Sequence, residues 1–88
     1  MAYYLVTADT DLTTKGKRLA SWHFDCTVAA GEILLRNGSV TGDIVVPIRI
    51  AIGASAGQSY NTPEGLVFPA GLFVDVVSGT VRGSVDLI

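Results

Sequence analysis

Charge is scarce in this chain, and so are the residues that most often carry chemistry. Its 88 residues include six Lys and Arg against eight Asp and Glu, for a formal net charge of −2, with one His and one Cys. The longest basic cluster, Lys15-Gly16-Lys17-Arg18, is too short to neutralise a run of phosphates, so nucleic acid is not an expected partner. A lone Cys26 permits no disulfide within the chain. One Cys with one His falls short of a structural zinc site, and neither a metal nor a cofactor is expected.

Long hydrophobic runs are also missing. No apolar stretch approaches the ~20 residues that span a bilayer; the longest, from Ile44 to Ile52, is interrupted by Pro47 and Arg49. The start, Met1-Ala2-Tyr3-Tyr4, lacks the charged lead and apolar core of a signal peptide. No membrane partner is therefore expected. Helical periodicity is absent from every window, which excludes the helix-based architectures.

What remains is an apolar-rich chain, 49% hydrophobic and only 16% charged, organised by period-two alternation and by recurrent Gly and Asn-Gly punctuation. That combination is the signature of short strands in a sandwich or barrel. A first strand covers residues 2–7, with Ala2, Tyr4 and Val6 on one face. Residues 8–16 are polar and turn-rich and read as a loop or movable arm, so that 1–16 form an N-terminal strand and arm and 17–88 the core of one domain. Residues 18–28 alternate most clearly. Ala20, Trp22, Phe24, Cys26 and Val28 make the expected core face, and Leu19, Ser21, His23, Asp25 and Thr27 the opposite one. A strand over Glu32–Arg36 leads into Asn37-Gly38, two residues that accept positive φ at low cost. The next strand, Asp43–Ile52, puts Ile44, Val46, Ile48, Ile50 and Ile52 on one face. Pro47 within it cannot donate a ladder hydrogen bond, which predicts an edge position or a bulge. Residues 53–65 read as a long small-residue loop. Leu66–Phe68, Leu72–Val77 and Thr80–Ile88 follow as strands, the last within a sheet. The expectation is an all-β fold: a single small β-sandwich of about seven strands, reduced and jelly-roll-like, with a flexible N-terminal arm.

Four groups of residues invite a chemical reading. Ser21, His23 and Asp25 are the residue types of a nucleophilic triad, on one strand face about 6.5–7 Å apart in sequence steps of two. They lack the sharp nucleophile turn and oxyanion hole that acyl transfer needs, so a polar outer face is the expectation and no catalytic residue is assigned. Asp9 and Asp11 are too few oxygen ligands for a calcium loop. Trp22, Phe68 and Phe73 could in principle form a sugar-stacking platform, but Trp22 shares its face with Phe24 and Val28 and reads as core. Tyr3, Tyr4, Leu5 and Tyr60 are the better candidates for contact with another protein, since tyrosine is enriched at interfaces. A domain this short buries only roughly 60–65% of the surface its unfolded chain exposes, which favours association.

One stretch carries a resemblance. Gly31-Glu32-Ile33-Leu34-Leu35-Arg36-Asn37-Gly38 precedes the Asp43–Ile52 strand, and Gly65-Leu66-Val67-Phe68-Pro69-Ala70-Gly71-Leu72-Phe73-Val74 leads into a Thr/Val-rich terminal strand. This order, over residues 31–88, resembles small all-β structural proteins of tailed-phage virions, among them head decoration (cement) proteins. The resemblance implies a non-enzymatic capsid decoration protein, made in the host cytoplasm and residing on the capsid surface of the virion. Its partners would be the major capsid protein or other virion proteins and further copies of itself, with a trimer as the implied oligomer. A neck, tail or fibre module that binds a receptor or connector is the alternative it implies.

Overall fold

In the computed structural model, which describes residues 2–88, the chain doubles back at the turn that follows Asn37. Four strands precede that turn: β1 (Ala2–Val6), β2 (Thr10–Leu12), β3 (Arg18–Cys26) and β4 (Gly31–Asn37). Five follow it: β5 (Ile44–Ile50), β6 (Ala54–Ser59), β7 (Leu66–Val67), β8 (Leu72–Ser78) and β9 (Val81–Leu87). The two halves pair antiparallel in nested order, β4 with β5, β3 with β6, β2 with β8 and β1 with β9. The resulting ribbon rolls up because β9 also pairs with β3 and β8 with β4. Two antiparallel sheets result, a first of order β1-β9-β3-β6 with β7 appended to β3, and a second of order β2-β8-β4-β5. The fold is all-β and sandwich-like.

The turn that starts the ribbon is held from several sides. Gly38 has φ +91°, the left-handed conformation that Asn-Gly promised. Asn37 N–H donates to Asp43 O at 2.9 Å and Gly42 N–H to Ser39 O at 2.9 Å. The Asn37 side chain also accepts from Ala70 N–H at 2.7 Å, which ties this turn to the Pro69–Gly71 turn.

The core lies between the sheets. Trp22, Phe24, Cys26, Val81 and Val85 from the first sheet meet Ile33, Leu35, Ile48, Leu72 and Val74 from the second, with Phe68 closing one end. Trp22 and Phe24 stack with ring centroids 5.9 Å apart. Cys26 is a buried free thiol.

Several sequence expectations change. There are nine strands among the described residues, where about seven were expected. The expected loop over 53–65 holds β6, a strand of Ala, Ser, Gly and Gln paired with β3. The expected arm is built into both sheets: β1 borders β9, residues 7–9 cross over, and β2 borders β8. Val6 and Leu12 seal the core along that side, and Asp9 extends the β2–β8 ladder by accepting from Val76 N–H at 2.7 Å. Leu19, expected on the polar face, is fully buried. The β3–β9 register shifts between Leu19 and Ser21; the extra residue, Ala20, reverses the alternation there, as a β-bulge does. Val28, expected in the core, is exposed because β3 ends at Cys26. Ile44 and Ile52, at the ends of their strand face, are also exposed.

Other expectations hold. β5 is an edge strand, as Pro47 demands; its register with β4 shifts at Val45, while Pro47 itself stays paired with Leu34. The terminal strand β9 lies inside its sheet, between β1 and β3.

Candidate protein interface

The outer face of the first sheet carries the triad types, but not as a triad. Ser21 Oγ donates to Asp86 Oδ2 at 3.1 Å, across to β9. His23 Nε2 lies 3.8 Å from Asp25 Oδ1, a loose contact at an exposed surface. Ser21 is thus engaged away from His23, and no pocket opens among the described residues to hold a substrate. Asp9 and Asp11 also act separately. Asp11 Oδ1 accepts from Thr13 Oγ1 at 2.6 Å and Thr13 N–H at 2.9 Å. These two donors hold its carboxyl below the usual carboxylate range. Protonation removes that preference, so the small support it gives this turn is present at neutral pH and fades as pH falls through the lowered value.

The aromatic residues divide by face. Trp22 and Phe68 are buried and Phe73 is half-buried on the outer side of the second sheet, so the three do not form a platform. Tyr60 is half-buried and packs against the core, its hydroxyl accepting from Trp22 Nε1–H at 3.1 Å. Tyr60→Phe is expected to leave that indole N–H unpaired and to lower unfolding free energy by about 1 kcal/mol. Urea denaturation followed by the fluorescence of Trp22, the chain's single tryptophan, measures it; a midpoint equal to the parent's would refute the bond's contribution.

Of the four residues assigned to protein contact, the structure separates two from two. Tyr4 turns inward and packs on the core, as Tyr60 does. Tyr3 and Leu5 turn outward, 62% and 72% exposed, on the same face of an edge strand. Their neighbours on β9 are Asp86 and Ser84.

A second apolar surface was not anticipated. The outer side of the second sheet presents Phe73, Leu34, Pro47 and Val45, with Ile44 at one end. Two ion pairs interrupt it, Arg36 Nε to Asp75 Oδ2 and Arg49 Nε to Glu32 Oε2, each at 2.9 Å. The first is mostly buried, so its charges cancel locally; Asp11 on β2, opposite Phe73, adds one negative charge at the border of this surface. The signal was present in Ile33-Leu34-Leu35. In a strand with alternating faces, two core residues flanking a leucine force that leucine outward.

Comparison with known proteins finds no matching family model, no matching curated protein and no matching solved structure.

Proposed function

We propose that this chain is a non-enzymatic structural module of a phage virion, a capsid decoration (cement) protein that binds and stabilises the major capsid lattice. The observation that carries the protein-binding part is the gathering of apolar residues on outward sheet surfaces: exposed Tyr3 and Leu5 at one edge, and across the second sheet exposed Pro47, Val45 and Ile44 beside half-buried Phe73 and Leu34. Contiguous apolar surface of this kind marks contact with other macromolecules. The virion part rests on the resemblance of residues 31–88 and on the nested strand order. Eight strands in two four-stranded sheets, of order β1-β9-β3-β6 and β2-β8-β4-β5, support reading the fold as a reduced jelly roll, with β7 a short addition. Jelly rolls serve in viral capsids among other places, an analogy of fold rather than of site.

In this reading the second-sheet face docks on the shell, and copies gather in threes at its three-fold positions only once bound, the lattice setting that arrangement. A protein that binds only the assembled shell stabilises it by mass action. The purified chain is expected to cosediment with expanded capsids and to raise their disruption temperature. Replacing Ile44 and Val45 by Glu is expected to abolish both effects without unfolding the chain, since both residues are exposed. A chain that stays in the supernatant with intact shells overturns the reading. Few copies per particle, instead of many, would move it to the neck, tail or fibre.

A further inference from the structure

We infer that two copies of this chain pair edge to edge through β1, antiparallel and about a two-fold axis, so that the first sheets of both join into one continuous sheet. The starting point is the difference between the four edges. Proteins keep open strand edges from pairing with very short strands, prolines, charges or bulges. β2 is three residues long. β5 carries Pro47, the exposed Arg49 and a register shift. β6 is Ala-Ser-Ala-Gly-Gln-Ser, with no large apolar side chain to bury. β1 has none of these devices: Ala-Tyr-Tyr-Leu-Val is uncharged, unbroken and free of proline.

Alternate residues of an edge strand turn their N–H and C=O groups away from the neighbour they already pair with. On β1 that open row is flanked by Tyr3 and Leu5, both well exposed. A row of unpaired backbone groups is recognised by another strand, and the side chains decide which. The antiparallel register that pairs all five residues places Tyr4 opposite the partner's Tyr4 and Tyr3 opposite the partner's Leu5. Directly opposed residues share a face, so Tyr3 and Leu5 stay on the outer side in both copies. The two-fold repeats that contact, and four apolar side chains close into one stripe across the seam. An isologous contact requires a patch that complements itself, and this strand does so in sequence and in charge. Nothing on β1 repels a like copy, although the chain as a whole is acidic.

A five-residue seam is smaller than a standard interface, which places the pair in the weak, concentration-dependent class. Sedimentation velocity on the full chain from micromolar to millimolar concentration is expected to show monomer giving way to dimer. Leu5→Lys is expected to weaken the dimer by about tenfold or more, because each substitution counts twice across the axis, while its unfolding midpoint at low concentration stays at the parent value. Mixing a Tyr3→Cys chain with a Leu5→Cys chain under oxidation is expected to give a cross-linked pair in higher yield than Tyr3→Cys alone; Cys26 is buried and does not compete. A chain that stays monomeric throughout, a trimer, or a dimer indifferent to Leu5→Lys overturns the inference. It stands apart from the virion reading: a chain that dimerises yet ignores capsids keeps it, and one that coats capsids without dimerising through β1 loses it.

Discussion

Phe24→Ala is expected to lower the unfolding free energy by about 3–5 kcal/mol, the usual cost of emptying a fully buried aromatic site. Phe24 sits at the middle of β3, fully buried, with its ring stacked on Trp22. Its cross-strand neighbour on β9 is Gly83. A Cβ there would lie 2.6 Å from Phe24 Cδ1, so the ring occupies the space that a side chain at 83 would need. Gly83, directly opposite, has no side chain to swing in and refill the site. Domains are stable by only ~5–15 kcal/mol in total, so this one change removes a large share. Urea denaturation is expected to give a much lower midpoint with an unchanged slope. Val28→Ala is the matched comparison. Alternation places Val28 on the same face as Phe24, but the structure exposes it, and its truncation is expected to fall within about ±0.5 kcal/mol. Equal losses for the two would contradict the end of β3 at Cys26.

The contrast between these two residues shows where the sequence is legible. Alternation from Trp22 to Cys26 is correct because an uninterrupted strand has a fixed period of two. It fails at Leu19 because the bulge at Ala20 inserts one residue, and nothing in the local composition marks it. β6 is invisible for a different reason. Ala, Ser, Gly and Gln have little preference for strands; they form one because β3, already paired to β9 on one side, offers its other edge to the chain returning from β5. Small residues suit that position, where the inward-facing Ala54 and Gln58 stay exposed at the rim. β2 is missed because three residues cannot display a period. Pro47, by contrast, is a covalent constraint, and the edge position it demands is found.

The candidate interface follows the same logic. Tyr3 and Leu5 lie exposed at the surface, while their neighbour Tyr4 packs against the core. Residue type suggests contact for all three, but the pleat sends alternate residues to opposite faces. Tyr60 lies just beyond β6, beside Trp22, and its hydroxyl serves the buried indole. The second-sheet surface needs the strand order: Leu34 and Phe73 are apolar enough for either side of a strand, and the order shows that only one side of that sheet faces another sheet.

Gly71→Ala is expected to be as damaging as the loss of Phe24, through the backbone instead of the core. Gly71 is buried and has φ +96°, a conformation that costs an L-residue roughly 1–2 kcal/mol. Three loops also converge on it. Its N–H donates to Phe68 O at 2.8 Å, and its carbonyl accepts from Gly38 N–H at 2.9 Å. On its open side a Cβ would lie 2.6 Å from Thr13 Cα and 2.8 Å from Thr13 O. Those atoms belong to the turn after β2, which Asp11 holds in place, so relief would require moving backbone. The strain and the displaced turn together are expected to cost more than about 3 kcal/mol, in the range reserved for core and backbone lesions. Gly53→Ala separates the two contributions. Gly53 also has a positive φ, +77°, but nothing lies within 4 Å of a Cβ there, so only the conformational cost of roughly 1–2 kcal/mol applies. Denaturation midpoints for the two variants should therefore differ widely. If they coincide, φ alone accounts for Gly71, and the Thr13 turn is free to move away from the Pro69–Gly71 turn.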